Sequence, residues 1–107
     1  MSEDVPPDAA DRAVAIFAWQ GEGRWEEILA ELDEKLRARL DAALMARGWA
    51  HMAALFGRFE GMGEPFARRV GDDIVVEIPL HFEAGDAKGI VRFNGDGQVG
   101  GLAIRPA

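Results

Sequence analysis

The sequence predicts an α+β domain, helices first and sheet second, and three observations carry that prediction. Up to about residue 57, alanine and leucine recur at the three- and four-residue steps of amphipathic helices. Beyond it, short β-branched and aromatic runs alternate with glycine turns. Within that second half, Ile74, Val76, Ile78, Leu80 and Phe82 fall on one side of an extended chain. Val75, Glu77, Pro79, His81 and Glu83 fall on the other, because successive side chains of a strand point to opposite faces.

The 107 residues suffice for one core without disulfides or metal and are too few for two, so a single domain is expected over residues 8–107 behind a flexible tail at 1–7. Pro6-Pro7 ends that tail, and Asp8 is placed to cap a first helix with the stripe Ala10, Ala13, Val14, Phe17 and Ala18. Gly21 and Gly23 are expected to stop it. From about Arg24 a second stripe runs through Trp25, Ile28, Leu29, Leu32, Leu36 and Leu40, with Glu26, Glu27, Glu31 and Asp33 turned outward. It fits one helix or two; a break between about Asp33 and Asp41 is favoured, because Asp41 suits the cap of a further helix. That helix would bury Leu44, Met45, Trp49, Met52, Leu55 and Phe56, with Gly48 inside it to permit close packing. Gly57 then falls just past the helix end, where positive φ is common and glycine adopts it at least cost.

Four strands are expected, at about 59–70, 73–83, 87–94 and 98–105. "NGDG" at 94–97, between two apolar runs, is a hairpin signal and not a phosphate loop, since such a loop needs a helix after it and "VGGLAIRP" reads as a strand. Gly100-Gly101 fits a bulge that bends this last strand.

Composition narrows the function classes. The net charge is −7 and basic residues are scattered singly apart from Arg68-Arg69, so nucleic acid and anionic membrane surfaces are not expected partners. No apolar run approaches the roughly 20 residues of a membrane span. The acidic start with two prolines is unlike a secretion signal, and the chain has no cysteine, so a cytoplasmic protein is expected.

The ordering as a whole, with "GEGRWEEIL" after the first helix, Leu32-Asp33 before a further helical stretch, "GWAHMAALFGRF" ending a helix in Gly57, and the closing "VRFNGDGQVGGLAI", resembles the cystatin-like or NTF2-like cone superfamily. Within it, the chain resembles a small domain of unknown function, DUF3887, often found ahead of α/β-hydrolases. The resemblance implies N-terminal helices packed on a curved four-stranded antiparallel sheet, a cavity at the wide end of the cone and, in many relatives, a dimer through the sheet. Relatives of this fold include enzymes, transport adaptors and modules without activity, so the fold does not name the function.

No residue pattern makes a catalytic or metal site, and no cofactor is expected. His51 and His81 are the only histidines, and neither has a neighbour at ligand spacing. His81 belongs with Glu77 and Glu83 on the outer sheet face; His51 is expected on a helix surface. The chain has no tyrosine, so it lacks the hydroxyl that isomerase-like relatives aim at an oxyanion. Asp41, Asp72 and Asp73 are more simply a cap and turn residues than an acid pair. Glu77 and Arg92 are expected to pair across strands. Phe17, Trp25, Trp49, Met52, Phe56, Leu80, Phe82 and Phe93 supply the core and whatever lining the cavity has. Val75, Pro79 and Ile90 make the outer face more apolar than wetting requires, which points to a dimer surface. The favoured reading is a non-catalytic module, a homodimer binding a small apolar ligand or a protein partner; a small lyase, isomerase or hydrolase acting in the cavity is the alternative.

Overall fold

The chain's structure is a computed structural model that describes residues 5–107. Of the expected tail, residues 1–4 lie outside the described residues, and Val5 packs against the core. Helix α1 spans Ala9–Glu22. The Asp8 side chain makes no capping bond; the first turn is held instead by the Pro6 carbonyl, which accepts from the Ala9 amide at 3.1 Å. The buried face of α1 is Ala9, Ala13, Ile16, Phe17 and Gln20, so the helix is rotated from the expected stripe, and Ala10, Val14 and Ala18 are half-buried. It runs through Gly21 and ends at Gly23, which takes a left-handed conformation at φ 70°.

The second stripe divides in two. Helix α2 is Trp25–Leu29 and α3 is Glu34–Arg37, so the chain already breaks at residues 30–33, ahead of the expected place. Asp33 causes that break: its carboxylate accepts from the Leu36 amide at 2.8 Å and starts α3. Asp41 does the same for α4, Ala42–Phe56, accepting from Leu44 at 2.9 Å. Of the face expected to be buried on α4, Met45 and Met52 are enclosed and Trp49 and Phe56 are half-buried, whereas Leu44 and Leu55 are 42% and 53% exposed. Gly57 has φ 83° and ψ −157°, a region that only glycine enters without strain.

The five strands are β1 (Phe59–Met62), β2 (Phe66–Val70), β3 (Asp73–Phe82), β4 (Gly85–Phe93) and β5 (Val99–Pro106). They form a curved, open antiparallel sheet in the order β1-β3-β4-β5, with β2 also paired to β3. The strand expected over 59–70 is thus two strands sharing one edge of β3: β1 lies against Leu80–Phe82 and β2 against Asp73–Glu77. Pro65, with no amide hydrogen to give a ladder, stands in the gap. The other expected strands hold to within a few residues. The hairpin at 94–97 is closed by Asn94, whose amide donates to the Gln98 carbonyl at 2.8 Å, with Gly97 at φ 81°. Gly100 is the extra residue of the bulge, since Arg92 pairs with Gly101 and Phe93 with Val99.

Strand β3 alternates as expected: Ile74, Val76, Ile78, Leu80 and Phe82 are all buried and join Val91, Phe93 and Val99 in the core. The tip of the Phe17 ring lies over Gly89 of β4, so closely that a Cβ there would stand 2.5 Å from its Cζ. At the other end of the helical layer, Trp49 meets the rings of Phe59 and Phe82 at centroid distances of 5.1 and 5.7 Å, and Phe56 meets Phe82 at 6.0 Å. These edge-on and tilted contacts fix α4 over the β1 end of the sheet.

Candidate functional site: a groove between α4 and β5

Where α4 faces β5 the helical layer does not close. A groove of about 290 Å³ is left there. One wall is α4, which presents Leu44, Met45, Gly48, Trp49, His51 and Met52; the other is β5, with Leu102 and Ile104. Leu40 and Gln20 complete the lining. Leu102 and Ile104 point to the same face as Val91 and Gly89, their partners in register, yet remain half-buried because nothing sits on them as Phe17 sits on Gly89. Gly48 contributes to the opening: no atom lies within 4 Å of where its Cβ would be, so it does not serve the close packing expected of it.

Gln20 is the one polar side chain drawn into the core among the described residues. It is 4% exposed, and its Nε2 finds no hydrogen-bond partner among the described residues. Buried amides are nearly always partnered, and leaving one unmet costs about 1–3 kcal/mol. His51 is the single titratable residue of the lining, and it is exposed.

Of the eight residues expected to line a cavity, the structure brings Trp49 and Met52 to the groove. Phe17, Leu80, Phe82 and Phe93 are enclosed in the core, and Trp25 and Phe56 pack half-buried against it. Sequence reasoning missed Gln20, Leu40, Gly48, Leu102 and Ile104. The two β5 residues were legible as apolar, but that they lack a cover depends on how far α4 stands from them. Gln20 carried no hydropathy signal at all.

The opposite face of the sheet is a charged lattice. Arg68 and Lys88 approach Glu77 at 3.3 and 3.4 Å, and Arg92 reaches Asp73 at 2.8 Å and donates to the Gly100 carbonyl at 3.0 Å. The expected Glu77–Arg92 pair does not form. The turn of the β3–β4 hairpin is Glu83-Ala84, so Glu77 stands opposite Ile90, and Arg92 opposite Val75. The Arg68 hydrogen bond holds the Glu77 carboxyl below the usual range; desolvation opposes it and Lys88 adds to it. His81 lies 3.1 Å from Asp86, on the outer face as its alternation implied and away from the groove. Asp41 and Asp73 are occupied as cap and ion-pair partner, and Asp72 lies in the turn between β2 and β3. Of the expected dimer surface, Val75 is buried within the monomer, Ile90 is half-buried and Pro79 is exposed; Phe66 and Val70, facing the same way, are 61% and 46% exposed.

Among the described residues no three acidic or imidazole groups gather closely enough to hold a metal ion, and no helix is long and apolar enough to cross a membrane. No curated protein and no solved structure matches the chain. A family model does, that of a protein of unknown function, DUF3887, and it covers residues 13–102, from the buried face of α1 to the first groove residue of β5. The match spans most of the chain and takes in all of the groove lining except Ala103 and Ile104, so the protein belongs to the DUF3887 family.

Proposed function

We propose that this chain is a non-catalytic, NTF2-like module whose α4–β5 groove takes up a small, predominantly apolar molecule. The carrying observation is the groove itself: a half-open space of about 290 Å³ whose walls are aliphatic, thioether and indole side chains. Such a surface loses free energy by excluding water, at about 25 cal/mol per Å² of apolar area covered, and a guest of ten or so heavy atoms is of the size to cover it. The enzyme alternative has less support. General acid–base work needs a titratable group with a partner that orients it, and the lining offers His51 alone, on the exposed rim. Freedom from cysteine suits work in a reducing compartment such as the cytoplasm.

The test is a titration of the nitrogen-15-labelled protein with ethylbenzene, followed by amide and indole resonances. Saturable shifts confined to Trp49, Met52, Leu102 and their neighbours are expected, and they should vanish in Gly48→Leu, which fills the space. Shifts scattered over the surface, or none, overturn the reading.

A second reading concerns the outer face and rests on Phe66 and Val70, exposed beside Pro79 and Ile90. Rows of opposite charge interleave there, Arg68 and Lys88 about Glu77, so that a two-fold copy of the same face meets complementary charge. We propose a homodimer through this face. Ile90→Asp should lower the sedimentation coefficient to that of a monomer without loss of far-ultraviolet ellipticity; an unchanged coefficient removes this interface.

A further inference from the structure

We infer that the occupant of the α4–β5 groove is an uncharged molecule carrying a hydrogen-bond acceptor, a carbonyl or ether oxygen, and that Gln20 is the residue that selects it. The inference rests on the groove being a binding site and adds the chemistry of its guest. Three features point to it.

The first is the amide of Gln20. It belongs to α1, whose neighbouring buried positions are Ala13, Ile16 and Phe17 and pack into an apolar core. At the position that reaches the groove the helix instead carries a side chain with two donors and an acceptor, 4% exposed, with Nε2 unmet among the described residues. An aliphatic residue of the same length would serve packing better, since a buried unpartnered donor is a standing cost. A guest oxygen that reaches Nε2 removes that cost, and a guest without one leaves it in place.

The second is the absence of charge. Among the described residues, neither lysine, arginine, aspartate nor glutamate lines the groove. A carboxylate or ammonium group would lose its hydration on entry and meet no counter-charge, so ionised guests are rejected. The protein's net charge of −7 adds to the exclusion of anions.

The third is the compliance of the wall beside the amide. Met45 and Met52 are the two buried residues of α4, and unbranched thioethers repack around a guest more readily than leucine or valine. Access to the amide is therefore gained by shifts of side chains and needs no movement of α4.

The experiment compares three aromatic probes of nearly one shape: ethylbenzene, with no acceptor; acetophenone, with a carbonyl oxygen; and benzoate, with a charge. Acetophenone is expected to bind about five- to tenfold more tightly than ethylbenzene, the advantage of one neutral hydrogen bond in an enclosed site, and benzoate the most weakly. In the wild-type protein acetophenone should also move the side-chain NH2 resonances of Gln20, which ethylbenzene leaves in place; this readout needs no variant. In Gln20→Met the ratio of the two affinities should fall to about one, with ethylbenzene bound at least as well as before. Equal affinities of acetophenone and ethylbenzene in the wild type, or benzoate as the tightest probe, overturn the inference and leave the groove as a binding site. Failure of both neutral probes to bind overturns the groove reading, and the inference falls with it.

Discussion

Two glycines, Gly48 in the helical layer and Gly89 in the sheet beneath it, show how differently the two sides of the core are built. On the α1 side, Gly89 is where the sheet gives up a side chain so that Phe17 can descend onto the backbone; the result is a ring with no measurable exposure among Ile78, Val76 and Val91. On the α4 side, Gly48 gives up a side chain and nothing descends, because no atom lies within 4 Å of the vacated position. One absence of a Cβ closes the core and the other helps to open a groove. The lesson is that a glycine facing the opposite layer has no fixed meaning: its meaning depends on whether the partner across the gap is large enough to use the room.

That contrast can be broken by substitution at matched positions. Gly89→Val drives a branched side chain into the Phe17 ring and is expected to cost about 3 kcal/mol, at the upper end for overpacking, read as a drop in denaturation midpoint; a variant as stable as the wild type would show that α1 is not seated as described. Gly57→Val tests the place where α4 leaves its helix. Positive φ and the approach of Glu83, whose Oε1 would lie 2.8 Å from the new Cβ, together give an expected loss of about 2 kcal/mol. An unchanged melting temperature would refute the backbone assignment there. Gly48→Ala carries the opposite sign: an alanine in open space inside a helix should stabilise by about 1 kcal/mol, and destabilisation would mean that the groove has no room for a methyl group at this position.

The smallest effect belongs to the outer face. Glu77 titrates lower in the folded protein than in the unfolded chain, so its contribution is fully present above the unfolded value of about 4.3 and is lost as the pH falls through the lower folded value. Its exposed partners limit that contribution to about 0–1 kcal/mol. Glu77→Gln should therefore be slightly less stable than the wild type at pH 7, and the two should converge in acid; a gap that widened on acidification would contradict the pairing.

Much of the frame was legible in the sequence because it rests on local chemistry. The alternation from Ile74 to Phe82, the turn at Asn94, the bulge at Gly100, the cap at Asp41 and the positive φ of Gly57 are each dictated within a few residues of themselves. What escaped depends on distant placement. The partners of Glu77 follow from the register of the β3–β4 hairpin, which its turn at Glu83-Ala84 sets. The split of the first strand follows from Pro65 meeting an edge already held by β3. Gln20 was invisible because a glutamine near the end of a helix is ordinarily wet, and only the rotation of α1 about Phe17 and Gly89 turns it inward.

Asp33 divides its carboxylate between two masters. One oxygen starts α3, and the other receives the Asn94 side-chain amide at 3.0 Å from the tip of the β4–β5 hairpin, while the Asp33 and Val99 backbones bond at 2.8 Å. Helices of five and four residues, such as α2 and α3, are too short to persist in water by themselves. They borrow their order from the core that buries Ile28 and from that hairpin, which holds residues 31–33 by backbone bonds as well as by the Asp33 carboxylate, so the half of the molecule read first along the chain is finished only when its last two strands have met.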